Sequence, residues 1–154
     1  MSTPSERLAE LGITLPPVAP PQAAYVPAVR TGSYVYVSGQ LPMVNGELPA
    51  TGKVGAEVDV AQAKALARVC ALNALAAAAA AAGGLDAITR IVKVTGFVAS
   101  APDFTDQPLV VHGASELLVE VFGDAGRHAR SAVGMAVLPL DAPVEVELIA
   151  EVRG

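Results

Sequence analysis

The spacing of apolar and polar positions changes several times along the chain, and each change marks an element. Thr3-Pro4-Ser5-Glu6 combines a capping hydroxyl, proline at the first helical position and glutamate two residues later, and Gly12 offers a left-handed stop, so residues 4–11 are predicted as a short helix. Pro16, Pro17, Pro20 and Pro21 then hold the chain extended as an arm. From Tyr25 to Ser38 β-branched and aromatic residues dominate, and the break at Arg30-Thr31-Gly32-Ser33 divides the run into two strands joined by a tight turn. Asn45, Gly46, Pro49 and Gly52 crowd the next stretch with turn-formers and leave room for one short strand around Glu47-Leu48. Asp59 followed by Gln62 repeats the capping signature, and the helix it opens meets no breaker before Gly83-Gly84. Arg90 to Ala99 returns to strand character. Asp106 and Pro108 open a second long helix with Leu117, Leu118, Val121 and Phe122 at helical spacing, closed by Gly123. Strands at Arg130–Leu138 and Val144–Val152 flank Pro139-Leu140-Asp141-Ala142-Pro143. This order predicts an α+β sheet with both helices on one face: a single domain over 23–154, preceded by a short helix and proline-rich arm over 1–22.

Alternation within the last two strands carries an expectation about faces. Val133, Met135 and Val137 share one parity, as do Val144, Val146 and Leu148, and both sets are expected to face the helices. The opposite parities carry Arg130, Ala132, Gly134 and Ala136 on one strand and Glu145, Glu147, Ile149 and Glu151 on the other. If these strands pair as a hairpin, Arg130 and the glutamates share a side, and the short residues between them leave a groove suited to another subunit or a small ligand.

Composition narrows the partners. The chain has 154 residues, 53% apolar and 16% charged, which leaves little polar surface for a lone small protein and points to self-association. A net charge of −5 gives no cationic footprint for nucleic acid or an anionic membrane. The apolar run from Ala65 to Ala82 contains Arg68 and Asn73 and is mostly alanine, so it reads as a packed helix rather than a membrane span. Glu6, Arg7 and Glu10 interrupt the N-terminus where a signal peptide would be apolar, making a cytoplasmic location the expectation. Cys70 is the only cysteine and is expected to be a small buried hydrophobe.

Few residues are candidates for chemistry. Arg130, among alanine and glycine neighbours, has room to receive a planar carboxylate through two parallel hydrogen bonds; a salt bridge to Glu147 or Glu151 is the competing role. Glu145 becomes a general acid or base if an apolar cleft disfavours its charged form; a solvated strand face is the alternative. His112 and His128 lack metal-pair spacing and are expected in surface or capping roles, so no metal site is expected. Gly39 ends a strand and can expose backbone N–H groups, and Tyr25 can close one wall of a pocket.

These residues match a family pattern. Tyr25, Val37-Ser38-Gly39-Gln40-Leu41-Pro42, Asn73, Val92-Lys93-Val94-Thr95, Ala129-Arg130-Ser131-Ala132-Val133, Leu138-Pro139 and Val144-Glu145-Val146-Glu147 occur in the order found in the reactive-intermediate deaminase (RidA, YjgF-like) proteins, also labelled endoribonuclease L-PSP. The chain resembles that family over most of residues 22–152, and most closely a subgroup with a longer N-terminal arm and the run Gly126-Arg127-His128-Ala129-Arg130. The resemblance implies a chorismate-mutase-like homotrimer with ligand clefts between subunits. It also implies cofactor-independent hydrolysis of enamines and imines of the 2-aminoacrylate type to 2-oxo acid and ammonia. By the same resemblance Arg130 binds the substrate carboxylate, backbone at Gly39 and Ala132 contacts substrate or water, Glu145 positions or activates the hydrolytic water, and Tyr25 lines the cleft from the adjoining subunit. A non-catalytic trimer that binds small carboxylate metabolites is the other function compatible with these residues. Ribonuclease action sits poorly with an acidic chain that has no basic-aromatic strip.

The sequence departs from the family pattern at several points. Ala132 stands where a cysteine is common, Ala23-Ala24 where Gly-Pro precedes the tyrosine, and neither the asparagine nor the aromatic usual on the second helix has a counterpart near His112-Gly113 and Glu116. The segment from Ser100 to Pro108 is also longer than in compact members. In a hairpin register Glu145 lies about six residues along the sheet from Arg130, roughly 20 Å at the usual strand rise. The two can therefore meet only across a subunit boundary, or the last two strands are not neighbours.

Overall fold

The computed structural model describes residues 2–18, 20 and 24–154. Pro21, Ala23 and the expected 22/23 boundary between arm and domain lie outside the described residues. The elements are α1 (Pro4–Glu10), β1 (Ala28–Thr31), β2 (Tyr34–Gln40), α2 (Val60–Ala82), β3 (Ile88–Ala99), α3 (Gln107–Phe122), β4 (Ala129–Met135) and β5 (Val144–Val152).

Local chemistry fixes the start of α1 and both ends of α2 as the sequence predicts, whereas Asp106 at the start of α3 makes no side-chain cap. The Asp59 side chain accepts the Gln62 N–H at 2.8 Å, and Gly83 ends α2 in the left-handed conformation at φ 88°. Thr3 and Glu6 form the reciprocal capping box of α1, whose Leu8 is buried in the main core. Lys64 and Arg68, one turn apart on α2, pair with Glu116 and Glu120 of α3 at 3.1 and 3.2 Å, so the narrow polar strip of α2 faces a matching strip on its neighbour. The rest of α2 is covered: Leu66, Cys70, Leu75 and nine alanines are buried, which is why a 23-residue apolar helix is part of the core here. Cys70 is fully buried, with its thiol against the Val144 carbonyl and its pKa pushed up by burial.

Among the described residues five strands form one mixed sheet in the order β1-β2-β5-β3-β4. All pairs are antiparallel except β3 with β4, which are parallel and connected through α3. A parallel neighbour demands a crossover, and α3 supplies it. The strand at 144–152 therefore does not form a hairpin with the one before it. β5 inserts between β2 and β3, and β4 is left on the far edge. Its connection to β4 turns through Leu140 and Asp141, both left-handed at φ 59° and 60°, and ties back through Gly52 N–H to Asp141 O at 2.9 Å and Ala99 N–H to Pro143 O at 2.9 Å.

Both helices cover one face of the sheet, α2 over β2 and β5 and α3 over β3 and β4. On β5 the expected faces hold: Val144, Val146 and Leu148 are buried beneath the helices. On β4 the expectation is reversed. Val133 and Met135 lie on the open side, 40% and 37% exposed, and Val137, expected in the same strand, lies beyond its end at Met135 and is 61% exposed, whereas Arg130 and Ala132 face α3. The cause is the closeness of α3. A Cβ on Gly134 would come within 2.8 Å of the Gln107 amide nitrogen, and Gly96, which pairs with Ala132, has no space beside Val111. Small residues fit beneath the helix at Ala132 and Gly134, while Arg130 on the same face reaches α3 through its hydrogen bonds to His112 and Ser115, so apolar bulk here lies outside, opposite to the usual rule.

Candidate functional site

The sheet separates the expected site residues into two groups. Tyr25, Gly39 and Glu145 belong to the first. Glu145 projects from the open face of β5, and its carboxylate rests directly on the Gly39 α-carbon, where a side chain on residue 39 would displace it. A register irregularity in β2 between Val37 and Gln40 brings Gly39 to this place. Burial, with a smaller contribution from the neighbouring Glu147 charge, pushes the Glu145 pKa above the ordinary carboxylate value. Gly39 also lines a cavity of about 680 Å³ shared with Tyr25, Gln40, Asn73 and the arm residues Pro16 and Pro20. Its floor is held by Asn73, whose side-chain amide donates to the Leu41 and Met43 carbonyls at 3.0 and 3.1 Å. Tyr25 is 57% exposed at the rim.

Arg130 and Ala132 form the second group, on the other side of the sheet. Arg130 sits beside Val94, and Val94 beside Leu148, all facing the helices. Glu145 lies three residues beyond Leu148, opposite Phe97, on the open face. The offset along the sheet is therefore about 10 Å at the usual strand rise rather than 20 Å, but the two side chains leave from opposite faces. Arg130 and the glutamates do not share a side, and the groove expected between them is absent from the described residues of one chain. A salt bridge from Arg130 to Glu147 or Glu151 is absent for the same reason.

Arg130 is held instead by neutral groups. Its Nη1 donates to His112 Nδ1 at 2.9 Å and to Ser115 Oγ at 3.2 Å. Ser115 Oγ in turn lies 2.9 Å from His128 Nε2, and His128 Nδ1 lies 2.6 Å from the Gly126 carbonyl oxygen. A carbonyl only accepts, so His128 carries its proton on Nδ1 and accepts the Ser115 hydroxyl proton at Nε2. Burial lowers the His128 pKa, the Gly126 hydrogen bond opposes that, and the Arg130 charge adds to the lowering. Among the described residues no carboxylate stands within ion-pair distance of Arg130. Both histidines were expected in surface or capping roles and are found around this guanidinium. The missed signal was spacing: His112 and Ser115 are three apart on a helix, His128 and Arg130 two apart along an extended segment, so each pair shares a face.

The comparisons with known proteins agree with this architecture. The family model described as "YjgF/chorismate_mutase-like, putative endoribonuclease" matches residues 5–152, and the chain belongs to that family. Protein TCP17 of Trypanosoma cruzi is 47% identical over 147 residues, covering 95% of this chain and 92% of TCP17. The crystal structure of Atu1372 from Agrobacterium tumefaciens superimposes with a TM-score of 0.90 at 51% identity, covering 97% of this chain and 92% of that one. Escherichia coli TdcF, named "Putative reactive intermediate deaminase", was solved with bound serine; it is 32% identical, with a TM-score of 0.64 and coverage of 91% of this chain and 94% of that one.

Proposed function

We propose that the protein is a hydrolytic deaminase of small enamines and imines derived from amino acids, acting as a homotrimer whose clefts join the two groups of site residues from adjacent subunits. The observation that carries this reading is the Arg130 guanidinium, which is half-buried and bound only by neutral acceptors. A cation without a counter-charge is a receptor for an anion, and a planar carboxylate matches its fork. The serine bound by TdcF has the α-carboxylate that such a receptor takes.

The opposite faces of Arg130 and Glu145 require a second chain to complete a site, and the exposed apolar residues of the open face, Tyr34, Tyr36, Val133 and Met135 among them, offer the surface for it. In the assembled cleft Arg130 of one subunit holds the substrate carboxylate while Glu145, against Gly39 and near Tyr25, belongs to its neighbour. An imine carbon is already electrophilic, so holding water beside it supplies much of the acceleration. Water oxygen bonds to that carbon as the C=N π pair moves to nitrogen, and Glu145 takes one water proton and delivers it to the nitrogen, giving a carbinolamine. The hydroxyl proton then passes through the same carboxylate to the amino nitrogen as the C=O bond forms and the C–N bond breaks, so that ammonia and the 2-oxo acid leave. A raised pKa suits a carboxyl group that must both accept and return a proton near neutral pH. An enamine enters the same sequence once its β-carbon is protonated.

Ammonia release from enzymatically generated 2-iminopropionate tests the reading. The wild type accelerates it and Arg130→Ala does not; equal rates for the two would overturn the proposal. Binding of pyruvate without turnover of any imine would instead assign the protein the non-catalytic role of a carboxylate-binding trimer.

A further inference from the structure

The hydrogen bonds around Arg130 determine which edge of its guanidinium meets a ligand. Arginine has five N–H donors: one on Nε, two on Nη1 and two on Nη2. Arginine only donates, so His112 Nδ1 is an acceptor and that ring, when neutral, keeps its proton on Nε2. The two Nη1 hydrogens are both consumed, one by His112 and one by Ser115. Ser115 can accept because its own proton is committed to His128, and His128 can accept because its own is committed to Gly126. Along the branch from Arg130 through Ser115 to His128, each acceptor has its own proton committed to the next group, and the branch ends on the Gly126 carbonyl. Among the described residues Nε and Nη2 have no hydrogen-bond partner, and these two nitrogens form one edge of the guanidinium, with parallel N–H bonds.

From this geometry we infer that His112, Ser115 and His128 are positioning residues that lock Arg130 by Nη1 and present the Nε/Nη2 edge, side-on, to a planar monocarboxylate. The inference rests on the reading of Arg130 as the carboxylate receptor. It adds why the surrounding residues can differ from the family pattern without loss of the clamp: α3 contributes a histidine and a serine where a carboxylate would cancel the charge. Neutral acceptors fix direction and leave the full charge for the ligand. A lysine at 130 cannot substitute, since an ammonium has no planar edge to present.

Pyruvate binding by titration calorimetry and steady-state deamination, measured on the intact assembly, test this. His112→Leu removes the acceptor and is expected to weaken pyruvate binding roughly tenfold, the scale of one hydrogen bond to a charged group. KM should rise by a similar factor with kcat nearly unchanged, because the carboxylate contact is made equally before and during reaction. His112→Asn places an amide oxygen near the Nδ1 position and should restore most of the affinity, which a purely packing role for the ring would not. Ser115→Ala should resemble His112→Leu, and Ser115→Thr, which keeps the hydroxyl, should resemble wild type. Arg130→Lys should bind as poorly as Arg130→Ala. If Arg130→Ala leaves pyruvate binding intact, the receptor reading itself fails. If Arg130→Ala abolishes binding while His112→Leu and Ser115→Ala bind as wild type, the receptor stands and the positioning role is wrong.

Discussion

The α-carbon of Gly39 and the carboxylate of Glu145 occupy adjoining positions with no room for a methyl group between them. Glycine at 39 is therefore a condition for where the Glu145 side chain lies, independent of any backbone preference. Because a carboxylate is the flexible end of its side chain, it can swing away from an added Cβ at small cost to the fold. Gly39→Ala should keep a melting temperature within a few degrees of wild type while lowering kcat/KM for 2-iminopropionate roughly a hundredfold, the lower range for losing a positioned acid–base group. A variant of undiminished activity would separate Glu145 from the chemistry.

The raised pKa of Glu145 has a consequence for stability whose sign is fixed by linkage. The folded state holds the proton to higher pH than the unfolded chain does, so the group favours folding fully below its unfolded pKa, and that contribution is lost as pH rises through the folded value. Glu145→Gln carries no such titration. Urea unfolding at a fixed protein concentration should show variant and wild type converging at acid pH and the variant gaining relative stability as pH increases past the ordinary carboxylate range. A constant difference at all pH values would contradict the burial of this carboxyl.

Gly113 tests a different kind of contact. A Cβ there would collide with the backbone carbonyl of Lys64, where α3 crosses α2, and a carbonyl inside a 23-residue helix cannot swing aside as a carboxylate can. Gly113→Ala should cost about 1–3 kcal/mol by overpacking. The fall in denaturant midpoint at unchanged m-value measures it, and a neutral result would mean the helices separate more easily than their close approach implies.

The proposed assembly through the open face makes Val133 a sensitive position. It stands in one row with Phe97 and Glu145 and is 40% exposed in the single chain. Val133→Glu adds a second carboxylate to that row and removes an apolar contact. Sedimentation velocity is expected to show a trimer for the wild type and monomers for the variant; a variant that remains trimeric would place the subunit interface elsewhere.

How much of this was legible in the sequence depends on how local each cause is. Asp59 with Gln62 and Gly83 marked both ends of α2, and the alternation of Val144, Val146 and Leu148 gave the face of β5, because caps and strand parity are decided within a few residues. The side of Arg130 was not legible. Parity divides β4 into two sets but does not say which set a helix will cover; here the distance to α3 decides, and α3 admits Ala132 and Gly134 while Val133 and Met135 stay outside. Adjacency in sequence also suggested a hairpin where the parallel pairing of β3 with β4 requires an inserted strand. The sequence singles out Tyr25, Gly39, Arg130, Ala132 and Glu145 but not their division between two faces, nor the histidines and serine around Arg130, which come together only once α3 is laid along the edge strand.

The alanines of α2 bear on how so small an amount of bulk holds the sheet in order. Nine of the twelve buried residues of this helix are alanine, and alanine has no rotamers to freeze. A leucine-rich helix would remove more area from water, but each leucine would also surrender torsional freedom on packing. This helix docks with almost no side-chain entropy lost over its last seven residues, Ala76–Ala82, and there its main chain can lie nearer the strands than leucines would allow. Enlarging one of these methyl groups would then cost twice, in the displacement of the helix and in the new freedom that folding must remove.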